Sequence, residues 1–395
     1  MQTERKDHCA NDTRLSDPPC TLPGMDIERT HRHPYDHIDP DFRDGVQDAV
    51  DAVRIRYEHG WQPMDVVHTT PKITGTDDIR AVARLVLFEA TTSGAADRAP
   101  DEWVSQLRSI EDRYGPARRP VAADVHPLRV HSATWRFGPM WGPIGPLPSE
   151  WPTVRAVGRP ERGVDDKMLA RIRGLLAKAE STEFEEEAAV FTEKAQELMS
   201  RYSLSETLIR EPDSSETWIR GRRFHIDNPY VAEKSSLLFT IAEANACRSV
   251  IFTNRSIVEA HGSANDLEQL DMLFTSLLVQ ATRAMAGARA SASGSSTTSF
   301  RKGFLTGFAI RIGERLRSAG SRATEQVAAE RSVPVSDLLP ALAARKDELD
   351  AEITRRYPRL GTTRRRAFDA AGYHSGRVAA DHASLGVQQR VTRGA

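Results

Sequence analysis

Residues 165–210 decide the fold of this chain, and they read DDKMLARIRGLLAKAESTEFEEEAAVFTEKAQELMSRYSLSETLIR. Apolar residues recur there at intervals of three and four in two runs, and each run predicts an amphipathic helix. The first stripe comprises Met168, Leu169, Ile172, Leu175, Leu176 and Ala179, and the second comprises Ala188, Phe191, Ala195, Leu198, Met199 and Tyr202. Thr182 and Glu185 have the spacing of a capping box, so the two helices are expected to fold back as a hairpin. Ser205 is predicted to cap a third, short helix.

The amino-acid sequence of this hairpin resembles that of a bacterial and phage family catalogued as domain of unknown function 2786. Two later stretches, VEAHGSANDLEQLDMLFTSLLVQATRAM (258–285) and SFRKGFLTGFAIRIGERL (299–316), resemble the companion C-terminal region of that family. The stretches GWQP (60–63) and GYHSGRVAA (372–380) also resemble actinobacterial relatives. The resemblance implies a helical hairpin domain in a bacterial protein. It implies no catalytic residues, because the family has no established activity.

Composition predicts a cytoplasmic protein of several domains. The chain has 395 residues, of which 39% are hydrophobic and 28% are charged, as is typical of soluble globular proteins. Its cysteines, Cys9, Cys20 and Cys247, form no CxxC pair and are too scattered for a disulfide framework. The N-terminus has no apolar signal sequence, and the longest apolar run is too short to span a membrane. We therefore predict no export, no membrane contact and a reducing compartment.

Charge is distributed unevenly along the chain. Residues 283–395 carry 20 basic and 10 acidic side chains, whereas residues 165–282 carry 13 basic and 20 acidic ones. A local basic excess of this kind predicts a polyanionic partner, such as nucleic acid. The alternative is a solvated surface in a protein that uses arginine for most of its basic residues.

Seven segments follow from periodicity and from proline and glycine content. We predict a mostly helical α+β protein with a disordered tail (1–39), a helical bundle (40–114), a proline-rich linker (115–163), the hairpin domain (164–210), an α+β module (216–286), a flexible linker (287–298) and a basic helical C-terminal region (299–395). Nine prolines in the first linker predict that it contains no helix or strand. Its Trp135, Trp141 and Trp151 are predicted to pack on a neighbouring domain; the alternative is a docking strip for a partner.

The α+β module has the element order β-α-β-β-α. Strands are predicted at 218–226, 247–253 and 256–261, with a hairpin turn between the last two. Ser263 and Asp266 form a capping box that opens a long helix. This order predicts a small sheet covered on one side by helices.

Candidate catalytic residues lie at the end of the third strand. Glu259 and His261 alternate onto one strand face, and Ser263 begins a helix whose free backbone N–H groups favour anions. An acid, a base and an anion site suggest a hydrolase or a nucleic-acid-processing enzyme. The alternative is that Glu259 and His261 face solvent and that Ser263 only caps the helix. No recognised catalytic motif, cofactor fingerprint or metal-binding motif is present, so we predict no cofactor and no metal.

Arginines supply the candidate nucleic-acid contacts. They are Arg220, Arg222 and Arg223 on the first strand, and Arg355, Arg356, Arg359, Arg364, Arg365 and Arg366 after the penultimate helix. Guanidinium groups suit phosphates, and Trp218 and Phe224 on the same strand could stack on bases. The leading hypothesis is a non-enzymatic binding or scaffold protein whose net acidic hairpin binds a protein partner and whose C-terminal region binds nucleic acid.

Glycines interrupt the face of the first C-terminal helix. Gly303 and Gly307 lie beside Phe300, Phe304 and Phe308. Glycine within a helix costs about 1 kcal/mol relative to alanine. We therefore predict that another helix approaches the backbone closely at these positions.

Overall fold

The computed structural model describes residues 40–75, 78–138, 140–153, 166–181, 185–209, 218–288, 296–361 and 369–383. These residues form α1 (Pro40–Glu58), α2 (Pro63–Thr74), α3 (Ile79–Ser93), α4 (Ala95–Arg98), α5 (Asp101–Tyr114), α6 (Val125–Phe137), α7 (Asp166–Ser181), α8 (Glu185–Ile209), β1 (Arg220–His225), α9 (Val231–Ala244), β2 (Arg248–Phe252), β3 (Ile257–Gly262), α10 (Ala264–Gly287), α11 (Thr297–Glu330), α12 (Val335–Arg356) and α13 (Ala370–His382). The predicted class, mostly helical α+β, is confirmed. No helix in these ranges is long and apolar enough to cross a bilayer.

Several predictions fall on positions outside these ranges. They are the disordered tail, the Thr182 capping box, most of the 287–298 linker and the arginines Arg364, Arg365 and Arg366.

Helices α1, α2, α3 and α5 form the predicted N-terminal bundle, and α6 completes it by packing on α1. The prediction that 115–163 contains no helix is therefore wrong. Pro127 lies in the first turn of α6, where a helix needs no N–H donor, so this proline does not interrupt the helix. Trp135, Trp141 and Trp151 are buried in the core of the bundle, in agreement with the packing interpretation.

Helices α7 and α8 form the hairpin. Their apolar faces meet each other and also pack on α10 and α11, and Ile172, Leu176, Ala195 and Met199 join the core of the α+β module. The third short helix is not formed, because α8 continues without a break to Ile209. Ser205 is therefore an interior residue of α8 and not a cap.

The three strands form an antiparallel sheet in the order β1-β3-β2. One face carries Phe224, Val258 and Ala260, which pack into the core shared with α9, α10 and α11. The prediction of a sheet covered on one side is incomplete. The opposite face also lies under protein, because α2 of the bundle packs against β1 and Ile257 joins the core of the bundle.

Helices α11 and α13 make the closest helix pair of the C-terminal region. A Cβ atom added to Gly303 would lie 2.5 Å from the carbonyl oxygen of Asp369, and one added to Gly307 would overlap that of Tyr373. Gly372 and Gly376 of α13 approach the carbonyl oxygens of Phe300 and Phe304 just as closely. This geometry explains the glycines of α11 as the sequence predicted.

Candidate functional site

The sheet face toward the bundle carries charged residues where an apolar face would be expected. Arg223 pairs in register with Glu259, and Gly221 pairs with His261, so strand alternation brings Arg223, His225, Glu259 and His261 to this one face. Glu259 is 0% and His261 1% exposed. The two residues share a face as predicted, but the alternative in which they face solvent is wrong.

Arg223 is the centre of this group. Its side chain is fully buried. Its Nε donates to Glu259 Oε2 over 2.9 Å, and its Nη1 donates to Asp65 Oδ2 over 2.6 Å. The guanidinium also donates to the carbonyl oxygens of Gly60 and Gly142. Two carboxylates and two carbonyls therefore compensate its loss of water, as a buried charge requires.

Asp65, on α2, connects the bundle to the sheet. Burial favours the neutral carboxyl, but Arg223 and His225 together outweigh it and hold the pKa of Asp65 at about 2. His225 Nε2 lies 2.8 Å from Asp65 Oδ1. Burial lowers the pKa of His225, although its hydrogen bond to Asp65 acts in the opposite direction.

Tyr357, directly after α12, closes the group from the C-terminal side. Its hydroxyl donates to Glu259 Oε1 and lies 3.0 Å from His261 Nε2, which is itself 3.2 Å from Glu259 Oε1. Burial opposes the charge on Glu259, but His261 and Arg223 outweigh it and lower the pKa of this carboxyl. Burial, together with Glu259, raises the pKa of Tyr357. We call these six residues, Asp65, Arg223, His225, Glu259, His261 and Tyr357, the Arg223 network.

Trp141 covers the network on one side. The guanidinium carbons of Arg223 and Arg255 lie 3.9 Å and 4.2 Å from its ring centroid. Its ring also makes an edge contact with Phe252, and Phe252 makes another with Tyr357. The aromatic rings and the desolvated cations attract each other, and together they separate the network from water.

Ser263 does not join this network. Its hydroxyl caps α10 by accepting from the N–H of Asp266, and it lies 3.1 Å from Glu206 Oε2. Arg345 of α12 donates to Asp266, and its guanidinium lies 4.8 Å from the ring centroid of Trp218. Burial raises the pKa of Asp266 and that of Glu206. Of the three candidate catalytic residues, the structure brings together Glu259 and His261 only.

Two of the three arginines of β1, Arg222 and Arg223, are already paired with carboxylates. Arg222 lies within 2.9 Å of Glu102 and 2.5 Å of Glu268, so neither it nor Arg223 presents a guanidinium to a phosphate. Phe224 is buried in the core and cannot stack on a base. Arg220 and Arg359 remain exposed.

The C-terminal arginines are only partly paired. Arg355 is 71% exposed and contacts Glu352, and Arg356 donates to Glu352 and to the carbonyl of Pro143.

Four residues of this site were not identified from the sequence: Asp65, Trp141, His225 and Tyr357. The alternation of Arg223 and His225 along β1 was a usable signal, because it puts two charged residues on one strand face. Nothing local identified their partners, since Asp65 is 158 residues from Arg223. Among the described residues, no group of three or more His, Cys, Asp or Glu side chains is arranged to hold a metal ion.

The comparisons with known proteins concern the hairpin. Residues 167–206 match the family model described as "Protein of unknown function (DUF2786)". This match confirms the predicted resemblance of the hairpin to that family. No curated protein and no solved structure is significantly similar to the chain. The DUF2786 match covers about a tenth of the chain and includes Glu206, which contacts Ser263, but it includes no member of the Arg223 network.

Proposed function

We propose that this chain is a non-enzymatic binding protein, a rigid frame that presents the basic surface of its C-terminal region to a nucleic-acid backbone. The observation that supports this proposal is a set of exposed basic side chains that contact no carboxylate among the described residues: Arg301, Lys302, Arg317, Arg331, Lys346 and Arg359. When exposed, unpaired cations of a protein neutralise phosphates, the nucleic acid releases its condensed counterions, and this release favours binding.

The acidic residues of the same region are partly neutralised by upstream arginines. Asp350 pairs with Arg248 at 2.6 Å, and Glu330 pairs with Arg201 at 2.8 Å. These pairs leave the local basic excess on the surface. Lys302 and Arg317 on α11 and Arg331 at its C-cap lie on one side of the helix, over a length of about 40 Å. A nucleic-acid strand along this side meets all three side chains.

A salt titration of nucleic-acid binding by the full chain tests this proposal. Affinity for a DNA duplex is expected to fall with salt, with a log–log slope of about −0.9 per phosphate contacted. Replacing Lys302, Arg317 and Arg331 by Gln should make that slope shallower by about 2 to 3. The matched control replaces Arg80, Arg108 and Arg118, which are exposed arginines of the bundle, and should leave the slope unchanged. Absence of binding at about 50 mM salt, where such contacts are strong, contradicts the proposal.

A second function, a hydrolase or nucleic-acid-processing enzyme, has one observation in its favour. Glu259, His261 and Tyr357 form a contiguous group of acid, imidazole and phenol. If this group is catalytic, His261→Gln should abolish turnover of ester and phosphodiester substrates under conditions in which the variant is still folded, whereas Ser263→Ala should retain turnover. A wild-type chain without turnover on these substrates, or equal loss in both variants, removes this alternative.

A further inference from the structure

A pocket opens on the N-terminal bundle, and its lining includes no residue of the Arg223 network and none of the group around Ser263. It lies between α1, α3, α5 and the segment around Trp151, and it encloses about 190 Å³. A cavity of about 150 Å³ accommodates benzene, so this pocket has room for one aromatic ring with a small substituent.

Aromatic side chains form one part of the wall. Trp103 makes edge contacts with Tyr57 at 4.7 Å and with Trp151 at 4.8 Å between ring centroids. All three residues line the pocket. A planar apolar ligand gains both buried area and aromatic contacts on such a wall.

Tyr57, which lines the pocket, has a buried hydroxyl that lacks a partner in the described part of the chain. The residue is 3% exposed, and its buried hydroxyl has no hydrogen-bond partner among the described residues. Burial and the nearby Glu89 raise its pKa, so the hydroxyl is a neutral donor. A buried donor without an acceptor costs about 1 to 3 kcal/mol, and a ligand oxygen would remove that cost.

The lining carries two arginines and two glutamates, which differ in how far their hydrogen bonds are satisfied. Glu89 is bonded to Arg54 at 2.9 Å, and Glu58 already accepts the N–H and the hydroxyl of Ser149. Arg98 differs from these, because its hydrogen bonds to the carbonyl oxygens of Pro152 and Ser93 are long, at 3.2 Å and 3.4 Å. It contacts no carboxylate in the described part of the chain. Arg98 and Glu58 are therefore the two lining charges without an ion-pair partner among the described residues, and of these two only Glu58 already has short hydrogen bonds to both oxygens.

We propose that this pocket binds a small aromatic carboxylate. Its ring lies against Trp103 and Trp151, and its carboxylate accepts hydrogen bonds from Arg98 and from the hydroxyl of Tyr57. This site is independent of the proposed nucleic-acid surface, which lies on the C-terminal helices.

Calorimetric titration of the full chain with benzoate tests the proposal, with benzamide as the uncharged isostere and benzyltrimethylammonium as the cationic one. Benzoate should bind saturably and about 10- to 100-fold more tightly than benzamide, the contribution of a hydrogen bond to a charged group. Arg98→Met should remove this preference, and Tyr57→Phe, which keeps the ring packing on Trp103, should weaken benzoate about 3- to 10-fold. Arg108→Met, an exposed arginine of α5, is the matched control and should bind as the wild type does.

Three outcomes overturn the proposal: no saturable benzoate binding, equal affinity for benzamide, or tighter binding of benzyltrimethylammonium. The last outcome would assign the pocket to organic cations, held by the aromatic rings and Glu58. Thermal denaturation of each variant without ligand checks folding. If Arg98→Met does not fold, Tyr57→Phe and the comparison of benzoate with benzamide in the wild type decide the question.

Discussion

Arg223 is the residue on which the junction between bundle and sheet depends. Arg223→Met removes the cation that neutralises Asp65 and Glu259, and both carboxylates stay buried. Breaking a buried ion pair in this way costs about 3 to 5 kcal/mol, and urea denaturation should show that loss. The control is Arg113→Met. Arg113 and Asp227 form an ion pair whose side chains are 55% and 51% exposed, and its loss should cost less than about 1 kcal/mol.

The pairing of Arg223 with Asp65 can be separated from packing by a double-mutant cycle. Arg223→Met combined with Asp65→Asn should cost less than the sum of the two single variants, because the second change removes a charge that the first leaves unpaired. Additive costs would mean that the two charges do not interact and would contradict the role given to Arg223.

At the scale of elements, the packing of α11 on α13 depends on four glycines. Gly376→Ala puts a methyl group onto the carbonyl oxygen of Phe304, so the helices must separate, at a cost of about 1 to 3 kcal/mol or more. Gly320→Ala is the matched control in α11, because nothing lies within 4 Å of its added Cβ. That variant should be stabilised by up to about 1 kcal/mol through higher helix propensity. A stabilised Gly376→Ala variant, measured by thermal denaturation, would contradict the close approach.

Across the whole molecule, two buried histidines and Asp65 make the free energy of unfolding depend on pH. The pKa values of His225 and His131 are lowered by burial, so the unfolded chain binds their protons more readily, and the free energy of unfolding should decrease as the pH falls through the ordinary value of 6.5. Asp65 is an acid, unlike the histidines, but its protonation also lowers the free energy of unfolding as the pH falls. Its stabilisation, about 2 kcal/mol from the shift in pKa, is present above 3.8 and is lost as the pH falls toward about 2.

Urea denaturation over this pH range measures both steps. Asp65→Asn should make the lower step smaller, and Glu259 and Asp227, whose pKa values are also lowered, supply the remainder. A free energy of unfolding that stays constant between about pH 7 and pH 5, across the ordinary pKa range of histidine, would contradict the assignment to His225 and His131.

Sequence predicted the elements far better than the site. Helical periodicity placed α1, α3, α7 and α10, because each buries a stripe that is visible within one helix. The Glu259 and His261 face followed from strand alternation alone. Asp65 and Tyr357 could not be predicted, because what brings them to Arg223 is the packing of the bundle on one side of the sheet and of α12 at its edge. Helix α6 was missed for a local reason: counting prolines gives no weight to a proline in the first turn.

The network residues lie far apart along the chain, so they emerge from the ribosome at different times. Asp65 precedes Arg223 by 158 residues, and Glu259 precedes Tyr357 by 98. At the usual synthesis rate of about 5 to 20 residues per second, roughly 8 to 30 s pass between the emergence of Asp65 from the ribosome and that of Arg223. Trp151, which packs in the core of the bundle, emerges before Arg223, so the completed bundle has a carboxylate without its counterion, and α2 must stay hydrated until Arg223 follows. The junction therefore closes after the bundle, and Tyr357 completes it 98 residues after Glu259.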